Sequence, residues 1–203
     1  MLGSEIPGIR EKLLIHKTCY DIHAELLEQY GINTDIVFSR PNYCKIDLMV
    51  DLDRKEQLFL QPDEIGRVNE LLISHNYQKG ILGLIEMAEQ KGRENGIKLK
   101  ATTDAKYLEA GMTLKSDNVD YFMEHVIKHC GIEAKDCCFW GDEFTFLGEG
   151  IPGSDAYMIT EQTKEADFFD VSPVEMNIPE NVTYVGGSVN RFIQFLEEQS
   201  QIF

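Results

Sequence analysis

Long apolar runs are missing from this 203-residue chain. No uninterrupted stretch approaches the roughly 20 residues that a membrane-spanning helix needs, so no such helix is expected. The N-terminus also lacks the basic-then-apolar pattern of a secretory signal, and a cytoplasmic protein is expected. Positive charge is scarce. Against 35 Asp and Glu stand 19 Lys and Arg, a formal net charge of −16. No local basic patch relieves that excess, so neither a nucleic-acid backbone nor an anionic membrane surface is an expected partner. Six prolines are too few for a low-complexity linker. The five cysteines (Cys19, Cys44, Cys130, Cys137 and Cys138) are odd in number, with one adjacent pair and no C-x-x-C spacing. That suits neither a disulfide framework nor a zinc site, and reduced thiols in the core are the expectation. The histidines (His16, His23, His75, His125 and His129) likewise show no metal-ligand spacing.

What is present is enough to fold. The chain is 43% hydrophobic and 10% aromatic, and its length permits one compact unit or a small domain with half of another. Met1 to Gly8 carries no periodicity and is left outside the fold. From Glu11 to Gln29, Leu14, Ile15, Ile22, Leu26 and Leu27 recur near helical spacing, with Gly31 as a stop. Asp35 to Ser39 and Cys44 to Val50 then read as a pair of strands around a turn, the second with Cys44, Ile46, Leu48 and Val50 on one face. Pro62 to Asn95 predicts two helices broken around His75 to Gly80. Ile97 to Thr103 and Tyr107 to Ala110 read as two more strands. Residues 9–110 thus form an α+β layer, with strands on one sheet and helices on its other face.

After Gly111 the pattern changes. Val119, Phe122, Met123, Val126, Ile127 and Cys130 form a helical stripe, with Ser116 as candidate N-cap and Gly131 at the C-terminal end. Cys137 to Trp140 is a wholly apolar run of the kind buried on both faces of a parallel sheet. Ala156 to Ile159 and Val182 to Val185 read as further short strands, Glu161 to Glu165 as a helix start, and a helix from Ser188 places Val189, Phe192, Ile193 and Leu196 on one stripe. This alternation predicts a parallel α/β sheet over 111–203. The expected fold class is therefore α/β, with an α+β unit ahead of a parallel one.

In an open parallel sheet, ligands bind beyond the carboxyl ends of the strands. Asp142 and Glu143 follow Trp140 and Gly141 at such an end, where carboxylates suit a hard cation such as Mg²⁺ or, alternatively, merely start a turn. Gly148 to Asp155 is a glycine-rich loop that returns a second carboxylate, Asp155. Lys115 stands just before the strongest helix, where a cation is electrostatically misplaced and invites a partner.

Together, Lys115 ahead of an amphipathic helix, Cys137-Cys-Phe-Trp-Gly-Asp142-Glu143 and Gly153-Ser-Asp155 resemble the third and fourth motifs of the haloacid dehalogenase superfamily, in its Cof-type and phosphomannomutase-like branches. The resemblance implies a Rossmann-like core preceded by an α+β cap, with cap residues 9–110 and core residues 111–203. It implies that Asp142 and Asp155, with Glu143 in support, serve a Mg²⁺ ion, that Lys115 balances the charge of a transferring phosphoryl group, and that the substrate is a small phosphorylated metabolite such as a sugar phosphate. A phosphotransferase of the phosphomannomutase kind would share these residues. Ser154 departs from the asparagine common before the second acid.

The family's nucleophile, the first aspartate of an Asp-x-Asp motif ending the first core strand, has no counterpart in place. Asp51-Leu-Asp53 imitates it, but Lys55 stands where Thr or Val belongs, the preceding strand alternates like a half-exposed one, and the stretch from Asp51 to Lys115 is too short to house both the rest of a core and a cap. Thr102 and Thr103 imitate the second motif and fail on the same ground. The chain therefore reads as a cap and the C-terminal part of a phosphatase core, inactive alone. Its uncovered core flank also allows a second reading, a non-catalytic module or homo-oligomer that associates through that flank. Arg40, Asn42, Lys45 and Asp47 either face a substrate or form the solvated side of the sheet, and the latter is preferred.

Overall fold

A computed structural model of the protein describes residues 7–37, 42–52, 59–148 and 150–202. Arg40, Asp53 and Lys55, which bear on the reading above, lie outside the described residues, as does the end of the first expected strand. The chain divides into two compact units, Met1–Leu114 and Lys115–Phe203.

In the first unit, α1 (Ile9–Tyr30) buries Ile15, Thr18, Cys19, Ile22 and Leu26 along one stripe. Gly31 ends the helix in the left-handed region (φ 69°) and returns its N–H to Leu27, while Ile32 N–H bonds to Leu26. A glycine takes that conformation without steric cost. Strands β1 (Asp35–Ile36), β2 (Tyr43–Asp47), β3 (Lys100–Thr103) and β4 (Tyr107–Gly111) form an antiparallel sheet in the order β1-β2-β4-β3. Cys44, Ile46, Ala101, Leu108 and Ala110 point inward from it. Helices α2 (Pro62–Ser74) and α3 (Gly80–Glu94) contribute Val68, Leu72, Ile81, Leu84 and Ala88 to the same unit's interior. Each fully buried aliphatic side chain contributes about 1.5–3 kcal/mol relative to exposure. Strand β2 stops at Asp47, earlier than expected, so Leu48 and Met49 are buried while Val50 is 47% exposed.

The opposite sheet face is polar but not idle. Lys45 donates to Glu109 at 2.6 Å and lies 4.2 Å over the Tyr107 ring. Burial alone would lower the Lys45 pKa, yet the Glu109 carboxylate outweighs it and holds the ammonium above its ordinary range.

The cysteine expectation is corrected. Cys19 of α1 and Cys44 of β2 form a disulfide, because the helix packs on the sheet at that point and brings their Cα atoms to 5.6 Å. The other three are not core thiols: Cys130 and Cys138 are exposed and Cys137 is half-buried.

In the second unit, α4 (Lys115–Phe122) continues through a π turn at Met123–Ile127 and a 3-10 turn at Lys128–Cys130, ending on Gly131 at φ 72° as expected. It begins at Lys115, so Ser116 lies inside the helix rather than capping it. Of the predicted stripe only Met123 is buried; Phe122 and Val126 are 42% and 38% exposed. Three parallel strands, β5 (Cys138–Gly141), β8 (Asp167–Asp170) and β9 (Val182–Tyr184), lie in the order β5-β8-β9, with a small antiparallel hairpin of β6 (Phe146–Gly148) and β7 (Ile151–Pro152) between the first two in sequence. The fold is thus α/β with a parallel sheet.

Three expectations fail here. Strand β5 is at the sheet's edge and none of its residues is fully buried, whereas the apolar run suggested burial on both faces. Ala156–Met158 is a 3-10 turn instead of a strand, closed by Met158 N–H to Asp155 and Ile159 N–H to Ala156. Glu161 to Glu165 forms turns, since the Thr163 hydroxyl bonds to the Met158 carbonyl and receives the Thr160 N–H, which diverts the backbone from a helix. Helix α5 (Ser188–Ser200) forms as predicted, but Val189, Ile193 and Leu196 on its apolar stripe are exposed.

Reducing the Cys19–Cys44 bridge is expected to destabilise the full chain by about 3–4 kcal/mol, the chain-entropy value for a separation of 25 residues. Urea unfolding with and without reductant reads this directly, and identical midpoints would show that the bridge contributes nothing.

Candidate functional site at the carboxyl ends of the parallel strands

Strands β5 and β8 run in register, with Gly141 opposite Asp170. Their carboxyl ends therefore place two acids side by side, Asp142 just beyond β5 and Asp170 as the last residue of β8. The β6–β7 hairpin brings a third. Asp155 leaves that hairpin with one oxygen accepting the backbone N–H groups of Asp142 (2.8 Å) and Glu143 (2.9 Å). Its other oxygen takes the Lys115 ammonium, which also donates to Ser154 Oγ at 3.0 Å. Ser154 in turn donates to Glu143 Oε2 at 2.5 Å.

Two glycines make this closure possible. A Cβ at Gly141 would stand 2.5 Å from Asp155 Cγ, so any side chain there would push the carboxylate off the strand end. At Gly153 a Cβ would meet the Thr145 carbonyl oxygen at 2.6 Å and prevent the hairpin from folding back. Gly141, just before Asp142, thus makes room for Asp155.

Charge follows this geometry. Burial would depress Lys115, but Asp155, with Glu143 and Asp142 behind it, outweighs burial and holds its pKa above the ordinary lysine range. The lysine's unfavourable place at the start of α4 is thereby compensated. Asp142 is pushed above the usual aspartate range by burial first and then by the Asp155 charge, against which Lys115 pulls. Asp170 is 1% exposed and raised for the same first reason, although Ser172 N–H at 2.7 Å opposes the shift.

Lys115, Asp142, Glu143 and Asp155 thus converge within one unit. Asp51 belongs to the other unit, where Asn33 Nδ2 donates to it at 2.7 Å. Asp170 escaped the sequence reading, although Asp167-Phe-Phe-Asp170 repeats in miniature the signal of Cys137 to Asp142, an apolar pair followed by an acid. Among the described residues no three Asp, Glu, His or Cys side chains are arranged to hold a metal ion. One oxygen of Asp155 accepts from the Lys115 ammonium and the other from two backbone N–H groups, so this residue organises the site.

No protein-family model matches the chain, and a comparison with curated proteins finds no match. Among solved structures, the chain is similar to an N-terminally truncated, IMP-bound IMP-nucleotidase of Plasmodium falciparum, with a TM-score of 0.42 and 12% identity over 78% of this chain and 36% of that one. A second structure of Plasmodium falciparum IMP-nucleotidase gives a TM-score of 0.42 and 14% identity over 72% and 30%. The chain therefore spans about a third of the length of these neighbours.

A raised folded-state pKa means that the native state binds more protons than the unfolded one above the ordinary aspartate value, so stability falls as pH rises through that window. Asp142→Asn is accordingly expected to raise the melting temperature at pH 7 and to lose that advantage below about pH 3.8, the ordinary aspartate value. Thermal unfolding of both proteins across pH checks this, and a destabilised variant at pH 7 would contradict it.

Proposed function

We propose that the second unit carries the phosphate-handling part of a haloacid-dehalogenase-type phosphomonoesterase site, acting on a small phosphorylated metabolite. One observation carries this reading: a lysine from the start of α4 is delivered to the carboxyl end of a parallel strand and held there by an acid that also pins the strand's exit loop. Phosphoryl transfer demands positioned positive charge more than covalent chemistry from the protein. Lys115 supplies that charge, Asp155 and Ser154 fix it, and Asp142 stays an acid at a cost to its own ionisation, which is a functional signature.

On this reading the first unit, with its half-buried polar sheet face, is the cap. Mg²⁺ belongs to the proposal only through the sequence resemblance. The described acids do not by themselves fit a Mg²⁺ ligand set. A cytoplasmic setting is also part of the proposal, and it has a consequence, because a reducing compartment works against the Cys19–Cys44 bridge. Among the described residues no helix is long and apolar enough to cross a membrane. A phosphotransferase would use the same residues, since acceptor choice is not decided by them.

A second reading has its own support. Val189, Ile193 and Leu196 of α5 are each about half exposed, beside an edge strand of apolar sequence. An interaction module that self-associates through this flank would cover them.

The purified chain is expected to bind orthophosphate without turning over p-nitrophenyl phosphate, with or without added Mg²⁺, and Lys115→Met is expected to weaken phosphate binding about tenfold or more, the effect of losing one charge-assisted hydrogen bond. Phosphorus NMR titration and a colorimetric assay read the two. Turnover abolished by Asp51→Asn would overturn the assignment of the site to the second unit, and sedimentation as a dimer with no phosphate binding would favour the association module.

A further inference from the structure

Helix α1 carries a second stripe besides the one it buries. Ile9, Leu13, His16, Tyr20, His23 and Leu27 recur at intervals of 4, 3, 4, 3 and 4 residues. That spacing keeps one seam of a helix turned toward a partner helix. Its apolar members are open to solvent: Ile9 is 80% exposed, Leu13 66%, Tyr20 61% and Leu27 43%. His16 and His23 between them are half-buried. Single exposed apolar side chains are ordinary on a protein surface, but four of them aligned over roughly 27 Å of one helix make a patch that another surface covers.

The other two sides of α1 are already used. At roughly 100° per residue, the buried stripe of Ile15, Cys19, Ile22 and Leu26 lies about 120° round the helix from the seam. A third stripe, again about 120° away, leans on α3: Lys17 donates to Asn95, Asn95 donates to Asp21, and Glu25 pairs with Lys91. The seam runs along the remaining side, where the His23 ring reaches Thr34, just ahead of β1, at 2.7 Å. Charge says what covers it. From Ile9 to Lys17 the helix carries three cations, Arg10, Lys12 and Lys17, against the single acid Glu11; from Thr18 to Tyr30 it carries Asp21, Glu25 and Glu28 and no Lys or Arg. Two copies of a chain with a net charge of −16 repel each other on average. Two α1 helices laid antiparallel, however, set the basic half of each against the acidic half of the other, whereas a parallel pair would set like against like.

We propose that α1 is a homodimerisation helix, and that two copies of this chain pack their Ile9–Leu27 seams antiparallel about a two-fold axis. The interval pattern reads the same in both directions, so one register places Ile9 opposite Leu27 of the second copy, Leu13 opposite its His23 and His16 opposite its Tyr20. Every seam residue then meets another, as a two-fold interface requires. The helix is held in place beforehand by its buried stripe and by the Cys19–Cys44 bridge, so pairing does not have to order it first. This surface belongs to the first unit, does not rest on the phosphatase reading, and is separate from the α5 stripe of the second unit.

Sedimentation velocity of the full chain from about 1 to about 200 μM tests this, and a concentration-dependent dimer is expected. The double variant Leu13→Ser, Tyr20→Ser changes only exposed positions; it should keep the circular dichroism spectrum and have a dimer dissociation constant about tenfold higher or more. Ile193→Ser on α5 should dimerise unchanged. Orientation is read by mixing the Ile9→Cys and Leu27→Cys proteins under mild oxidation and mapping disulfide-linked peptides by mass spectrometry. Links from position 9 of one copy to position 27 of the other should predominate over 9–9 and 27–27 links. This arm leaves Leu13 and Tyr20 in place, so it decides the matter even where the double variant fails to fold. A monomer throughout the range, a dimer abolished by Ile193→Ser and untouched by the α1 double variant, or a predominance of 9–9 links would overturn the proposal.

Discussion

One carboxylate organises the second unit. Asp155 pins the backbone amides of Asp142 and Glu143 with one oxygen and holds Lys115 with the other. Through it, the exit of β5, the β6–β7 hairpin and the start of α4 become a single arrangement. Removing it would leave two N–H donors and an ammonium without their acceptor, a loss of the kind that costs more than the interaction itself contributes. The neighbouring glycines serve this contact: Gly141 leaves space for the carboxylate, and Gly153 lets the hairpin close behind it.

The same contact explains the electrostatics of the strand ends. Lys115, with its side chain 46% exposed, is held charged by the Asp155 carboxylate that faces it, and Asp142 is hard to ionise first because of burial and then because Asp155 is negative beside it. A chain with a net charge of −16 thus concentrates three acids, Asp155, Glu143 and Asp142, around one lysine, with Asp170 beside Asp142. Such crowding disfavours the compact state and is retained where charge has a use. The first unit is organised differently. Its interior is largely apolar, stapled by Cys19–Cys44, and holds a buried Lys106–Glu64 ion pair at 3.7 Å, while pairs such as Lys45 with Glu109 and Lys91 with Glu25 lie nearer the surface.

Much of the first unit was legible because its signals are local. Helical spacing from Leu14 to Leu27, the proline at the start of α2 and the alternation around Cys44 and Ile46 each reflect a period set by backbone geometry. In the second unit the apolar run before Asp142 located a strand and the acid beyond its carboxyl end, yet misjudged its burial. An apolar run records what a strand could bury, and only its neighbours decide whether it does. Ala156 to Ile159 failed for a related reason: a short apolar run was captured by a turn whose hydrogen bonds begin at Asp155 and Gly153.

Sequence by itself determined the α/β class, the change of pattern near residue 111, and the residue types of the site: a lysine before a helix and acids after an apolar strand and a glycine-rich loop. These depend on periodicity and on the conformational limits of glycine and proline, which are properties of short segments. Tertiary structure alone decided that Cys19 faces Cys44 across a helix–sheet contact, that Asp170 ends its strand opposite Gly141, and that Asp155 ties Lys115 to the exit of β5. Each of these is a distance between residues far apart in sequence, fixed by packing and register, which no local pattern encodes.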